Sequence, residues 1–212
     1  MEYIAISVVA AAMLALLCLL ALHFLSPEFG PSWRMISEYA LGKHKWLITS
    51  FFLFWGASSI LLAVLLWGQT GSLGSKVGVF FLFLSGIGEI MGGLFDIKHK
   101  LHGTSFMLGV PSLPIAALIL GYYLVDLPAY ADASTLLISA SHATWISVVL
   151  MGAAMGVMIA GFKKAGIPMG PDVPPPTSVP KGVVALAGYA NRVLVLAYLV
   201  WVALVAAIPV WC

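Results

Sequence analysis

Hydrophobic residues in this chain come in six long runs, separated by short segments where charge, glycine and proline collect. The runs cover about residues 4–25, 47–67, 77–95, 104–125, 143–162 and 183–210. Crossing the roughly 30 Å hydrocarbon core of a bilayer takes about 20 apolar residues of helix, and each run is about that long. None shows the period-two alternation of a membrane barrel strand. The pattern predicts an all-α, polytopic integral membrane protein, a bundle of six transmembrane helices. With such short connections, residues 1–212 form one domain with no room for a soluble one.

The segments between runs carry turn signals. Ser26-Pro27 ends the first run, Gly71 to Gly74 punctuates the second turn, and Leu127-Pro128 follows the fourth run. Residues 166–180 hold six of the twelve prolines, including Pro174-Pro175-Pro176, and are expected to form an extended, polyproline-like connector. Between the first two runs, Trp33, Ile36, Tyr39 and Ala40 recur at helical spacing. They predict a short amphipathic helix lying in the membrane interface, capped by Ser32 and stopped by Gly42, with Arg34 and Glu38 paired along it. Stripes of small residues, Gly88-x-x-x-Gly92 in the third run and Gly152-x-x-x-Gly156 continuing to Ala160 in the fifth, let helix backbones approach closely. They place spans three and five in the bundle interior, with a homodimer or membrane-protein contact through these faces as the alternative.

Sixty-two per cent apolar residues against eight per cent charged is far outside the soluble range. The basic residues then set orientation. Arg34, Lys43, Lys45, Lys98, Lys100, Lys163, Lys164 and Lys181 all fall in loops 26–46, 96–103 and 163–182, which the positive-inside rule makes cytoplasmic. Lys76 alone falls on the other side, with Glu2, Asp126 and Asp132, so both termini are expected outside the cell membrane. Met1-Glu2-Tyr3 lacks the basic start of a secretory signal, and the first run is read as a retained helix. A net charge of +2, widely dispersed, gives no footprint for nucleic acid; the lipid bilayer is the expected partner. Cys18 and Cys212 form no disulfide or metal framework. Trp46, Trp67, Tyr122, Tyr123 and Trp211 sit at span ends as an interfacial belt.

Against this background Glu89 stands out, deep in the third run and seven residues before Asp96. That places it roughly 10 Å above the cytoplasmic end of its helix, where a carboxylate needs a partner, water or a proton. Arg192, in the last run beside Asn191, is the obvious partner for a structural ion pair. The alternatives are a working site containing both, or a snorkelling Arg192 with Glu89 neutral. Asp96, His99 and His102 follow one another at intervals of three; on one helical face they would offer a carboxylate and two imidazoles to zinc or another divalent metal. His23 ends the first run as an interface residue. His102 and His142 fall on opposite sides of the membrane, which argues against a haem held by paired histidines.

Ser37-Glu38-Tyr39-x-x-Gly42, Asp96 at the end of span three, His102-Gly103 opening span four and Arg192 in span six resemble a known pattern. It is similar to a six-helix prokaryotic membrane family, catalogued as domain of unknown function 998, and the likeness covers nearly the whole chain. The resemblance implies a six-span fold with Glu38, Asp96, His102 and Arg192 as one set, and supplies no agreed activity. The turn after Phe95 departs from the family's proline-containing stretch around its acid.

Three functions remain open. A small membrane subunit or assembly factor would use the polar cluster structurally. An intramembrane enzyme acting on a lipid or lipid-linked substrate would use Asp96, His102 and Glu38 as acid, base or metal ligands, with Arg34, Glu89, Asn191 and Arg192 binding substrate. A small-molecule or ion transporter would line its path with Glu89 and Arg192, though no internal repeat supports it.

Overall fold

The computed structural model describes residues 1–168, 173 and 176–211, apart from the Trp211 side chain. Most of the proline tract at 169–175, together with Cys212 and the ring of Trp211, therefore lies outside the described residues. Six α-helices carry the fold: α1 (Glu2–Leu25), α2 (Lys45–Trp67), α3 (Leu73–Leu94), α4 (His102–Leu124), α5 (Ser134–Lys164) and α6 (Ala187–Trp211). All six are long and apolar enough to cross a membrane, which makes this a multi-pass membrane protein. No strand occurs among the described residues. Successive helices pack side by side, and α6 closes the ring against α1 while also touching α2 across it.

Small residues set how tightly the helices approach. A Cβ on Gly88 would lie 2.3 Å from the backbone nitrogen of Gly109, so α3 and α4 touch backbone to backbone at that point. On its other side α3 presents Gly86 to Gly56 of α2, where an added Cβ would meet the Gly56 carbonyl at 3.0 Å. The small-residue stripe of α3 thus works inside the monomer, as expected of small residues in lipid. The stripe of α5 does not. Gly152, Gly156 and Ala160 are exposed, and an added Cβ at either glycine meets nothing within 4 Å. The face α5 turns inward carries Ser141, Thr144 and Ser147, each buried and each donating to a carbonyl one turn earlier in its own helix. Thr144 and Ser147, satisfied in that way, behave as small packing residues, while Ser141 Oγ also accepts from Trp201 Nε1 of α6 at 2.9 Å. The helix also starts at Ser134, well before the run at 143, because a 3-10 turn at Pro128–Ala133 leads directly into it.

Segment 26–44 departs most from its expected form. It is a 3-10 helix at Ile36–Leu41 rather than an interfacial α-helix, and Ile36 and Tyr39 are buried in the bundle. Gly42 ends it as expected, but Ser32 does not cap it. The Ser32 carbonyl instead accepts from the amides of Gly188 and Tyr189, satisfying the unpaired N–H groups at the start of α6. Gly188 makes this possible, since a Cβ there would sit 2.5 Å from the Pro31 carbonyl oxygen. The ends of the proline-rich connector fold back as well: Ile167, Val179 and Val183 pack around Phe162 and Ala187.

At the ends of the spans, Trp46, Trp67 and Tyr122 are exposed, as an interfacial belt requires.

Candidate functional site

Arg192 is held by protein groups on every side. Its Nε donates to His23 Nε2 (2.7 Å), one Nη to the carbonyls of Arg34 (2.8 Å) and Gly188 (2.9 Å), and the other Nη to Tyr39 Oη (3.1 Å). A guanidinium has five N–H groups, and four are occupied here. His23 contributes a defined tautomer: its Nδ1 faces the Leu19 carbonyl at 2.7 Å, which can only accept, so Nδ1 carries the proton and Nε2 is left to accept from Arg192. Asn191 Oδ1 accepts from the Ile36 amide at 2.9 Å. Together Asn191 and Arg192 fasten segment 34–39 to α6. His23 belongs to this network rather than to the lipid interface.

Arg34 and Glu38 pair at 2.9 Å, with the guanidinium stacked over the Trp33 ring. Burial pushes the Glu38 carboxyl above its ordinary range, partly offset by Arg34. Asp96 lies elsewhere: its Oδ2 meets Lys45 Nζ at 2.5 Å and its Oδ1 accepts from the Lys98 amide, and these bonds hold its carboxyl below the usual range. The turn at 96–101 is not helical. His99 stacks on Phe95 while its Nδ1 accepts from Leu101 N–H. Asp96, His99 and His102 therefore do not converge, and no group of three His, Cys, Asp or Glu side chains among the described residues is placed to hold a metal.

Glu89 and Arg192 do not pair either. Glu89 is buried between α2 and α3, accepting from Ser59 Oγ (2.7 Å) and Ser85 Oγ (2.8 Å). It has no cationic partner among the described residues. It forms part of the wall of a cleft of about 80 Å³ between α2, α3, α4 and α6, also lined by Met35, Ile36 and Ser37. The levels within this cleft follow from the contacts. Glu89 lies beside Gly109 of α4, and Tyr198 donates to the Val110 carbonyl at 2.5 Å. That carbonyl is free because Pro114, four residues on, has no N–H to give it. His102 of α4 and Asn191 of α6 each lie seven residues nearer the basic end, roughly 10 Å along their helices. The cleft thus runs from a polar mouth at His102, Ser37 and Asn191 to a floor at Glu89, Trp55 and Tyr198. Beyond the floor the bundle is closed by Leu62, Leu66, Leu113, Leu120 and Val202, all fully buried.

Two residues here have unmet hydrogen-bonding capacity. His102 Nδ1 faces the Phe95 carbonyl at 2.9 Å, so it carries the proton and leaves Nε2 as a free acceptor. Trp55, buried to 4 % exposure, has an indole N–H with no acceptor. Glu38, Asp96, His102 and Arg192 thus each have different partners, and of the four only His102 lines the cleft, with Glu89 and Asn191. Nothing in the apolar pattern marks Trp55 or Tyr198 for the floor. Ser85, one turn before Glu89, is the one signal in sequence of a partner for the carboxyl.

The sequence model of the family described as "Protein of unknown function (DUF998)" matches residues 9–208. The chain belongs to this family. Comparison of this DUF998 protein with curated proteins returned no match, and neither did comparison with solved structures.

Proposed function

We propose that this protein is a non-catalytic, accessory membrane protein that binds a small amphipathic molecule in a one-sided intramembrane cleft. The observation that carries this reading is the cleft itself: a polar mouth, aromatic and aliphatic walls, a buried carboxyl at the floor, and apolar packing beyond. Sites for small molecules have this composition, mostly apolar with a few placed polar groups. The eight basic loop residues support a cytoplasmic location for the mouth, by the positive-inside rule. The occupied donors of Arg192 weigh against its use as a phosphate clamp, and the closed far half of the bundle weighs against a conducting path.

The test is native mass spectrometry of protein extracted from membranes, comparing wild type with Leu194→Trp, which fills the cleft. A small bound species in the wild type that the variant lacks supports the reading. An identical bound species in both, or none in a wild type that also fails to respond to any added amphiphile, overturns it.

A second reading rests on His102. An imidazole held by a backbone carbonyl, with Nε2 free and lining the cleft, is the arrangement of a general base. Under that reading, hydrolysis or transfer on a lipid substrate is lost in His102→Gln with the fold intact. Unchanged turnover in that variant removes it.

A further inference from the structure

Three aromatic rings and the buried Glu89 carboxyl line the inner part of the cleft. Phe52 and Trp55 lie nearly parallel with centroids 6.0 Å apart, and Trp55 meets Tyr198 edge-on at 6.0 Å. All three line the cleft beside Glu89. Aromatic faces attract cations through the ring quadrupole, and clusters of such rings are the usual receptor for alkylated ammonium groups. Glu89 adds an acidic group whose only described partners are two neutral hydroxyls. A buried carboxylate ordinarily requires a counter-charge, and Arg192, the cation nearest in sequence expectation, is held by other groups. Trp55, the middle ring of the three, lines the cleft with an indole, the side chain whose face attracts cations most strongly.

From this juxtaposition we infer that the cleft floor binds a small organic ammonium group, with Glu89 as its counter-charge and Phe52, Trp55 and Tyr198 as its walls. The inference rests on the cleft being a binding site and specifies what it takes. The available volume of about 80 Å³ sets the size. One water needs roughly 10–15 Å³ of such space, so the cleft as a whole holds a headgroup of a few heavy atoms and not a whole lipid. An ammonium carried on a short two-carbon chain fits this volume and supplies the charge that the carboxyl lacks. Such a group comes either from a free cation or from the headgroup of an amine-bearing phospholipid whose tails remain in the bilayer.

The experiment uses the full chain in nanodiscs of phosphatidylglycerol, which has no amine. Binding of choline and ethanolamine is measured by calorimetry and by thermal stabilisation, beside 3,3-dimethylbutan-1-ol, the uncharged isostere of choline. The expected result is that at least one of the two amines binds, that the isostere binds at least about tenfold more weakly than choline where choline is the one bound, and that Glu89→Gln removes the preference; losing a charge-assisted contact is of that order. Trp55→Phe, which lowers the attraction of that ring for a cation, weakens the amines in the same assay. Should Glu89→Gln not fold, the wild-type comparison of choline with its isostere decides alone. Equal binding of choline and isostere overturns the ammonium inference while leaving the cleft as a binding site. No binding of either amine, together with no stabilisation in discs containing phosphatidylcholine or phosphatidylethanolamine, also overturns it. Stabilisation by such discs without added amine, lost in Glu89→Gln, assigns the headgroup as the source; binding of the free amine without it assigns the soluble cation.

Discussion

Arg192 illustrates how far a single residue can organise a membrane protein without acting on anything else. Four of its donors bind groups from α1, from segment 34–39 and from its own helix. Arg192→Leu leaves a buried phenol, an imidazole and two carbonyls short of a donor, and unmet buried groups cost roughly 1–3 kcal/mol each. The expected loss is about 3–5 kcal/mol, seen as a large fall in the melting temperature of the detergent-solubilised protein. Arg192→Lys recovers only part, because one ammonium cannot reproduce the planar spread of the guanidinium. Since Glu89 shares no partner with Arg192, adding Glu89→Gln to Arg192→Leu gives an additive loss; a rescue would require the two to be coupled. Glu38 gives a pH signature of its own. Its folded-state carboxyl binds a proton more tightly than the unfolded chain does, so stability is greatest below the ordinary value of 4.5 and declines as pH rises through the folded value. Asp96 has the opposite sign, its contribution being lost only as pH falls below its ordinary 3.8. As pH rises from about 4.5 through the folded value of Glu38 the melting temperature should therefore fall, and Glu38→Gln should flatten that slope. An unchanged slope in the variant assigns it to another group.

Between helices, the two glycine stripes have opposite meanings although their sequences look alike. Gly88 faces α4 with no room for a methyl group, whereas Gly152 and Gly156 face open space. Gly88→Ala should separate α3 from α4 and destabilise by about 1–3 kcal/mol, the ordinary cost of overpacking. Gly156→Ala should leave the melting temperature unchanged or slightly higher, since alanine is the better helix former. A comparable loss in both variants would mean that α5 packs with this face against something in the membrane. Sequence could not separate these cases, because a helix in lipid is apolar all round and its pattern does not reveal which side meets a neighbour. The same limit hid the inward face of α5, where Thr144 and Ser147 bond within the helix and Ser141 also accepts from the Trp201 indole of α6, so that all three read as polar while they face the core. It also hid the 3-10 helix at Ile36–Leu41, whose buried side chains Ile36 and Tyr39 have the spacing of an interfacial α-helix.

At the scale of the whole molecule, the count of helices was legible because bilayer thickness imposes length on sequence directly, and length survives without any alignment or contact. The cleft was only half legible. Glu89 is conspicuous, as any mid-span carboxyl is, but its aromatic neighbours Phe52, Trp55 and Tyr198 are indistinguishable in sequence from residues that face lipid. Orientation is the remaining property read from charge alone, and it decides which compartment supplies the cleft. With Cys18 and Cys212 replaced by serine, single cysteines at Lys76, Lys100 and Lys181 can be probed with a membrane-impermeant maleimide. Lys100 and Lys181 are exposed and lie outside the spanning helices, and Lys76 is half-exposed in the first turn of α3. Lys76→Cys should label in intact cells, whereas Lys100→Cys and Lys181→Cys should label only after permeabilisation. That outcome places the mouth of the cleft, beside His102, on the cytoplasmic side, where a ligand comes from the inner leaflet or the cytoplasm. The reverse pattern would turn the same cleft outward: Glu89 would then face ligands arriving from outside, and the basic loops would contradict the positive-inside rule.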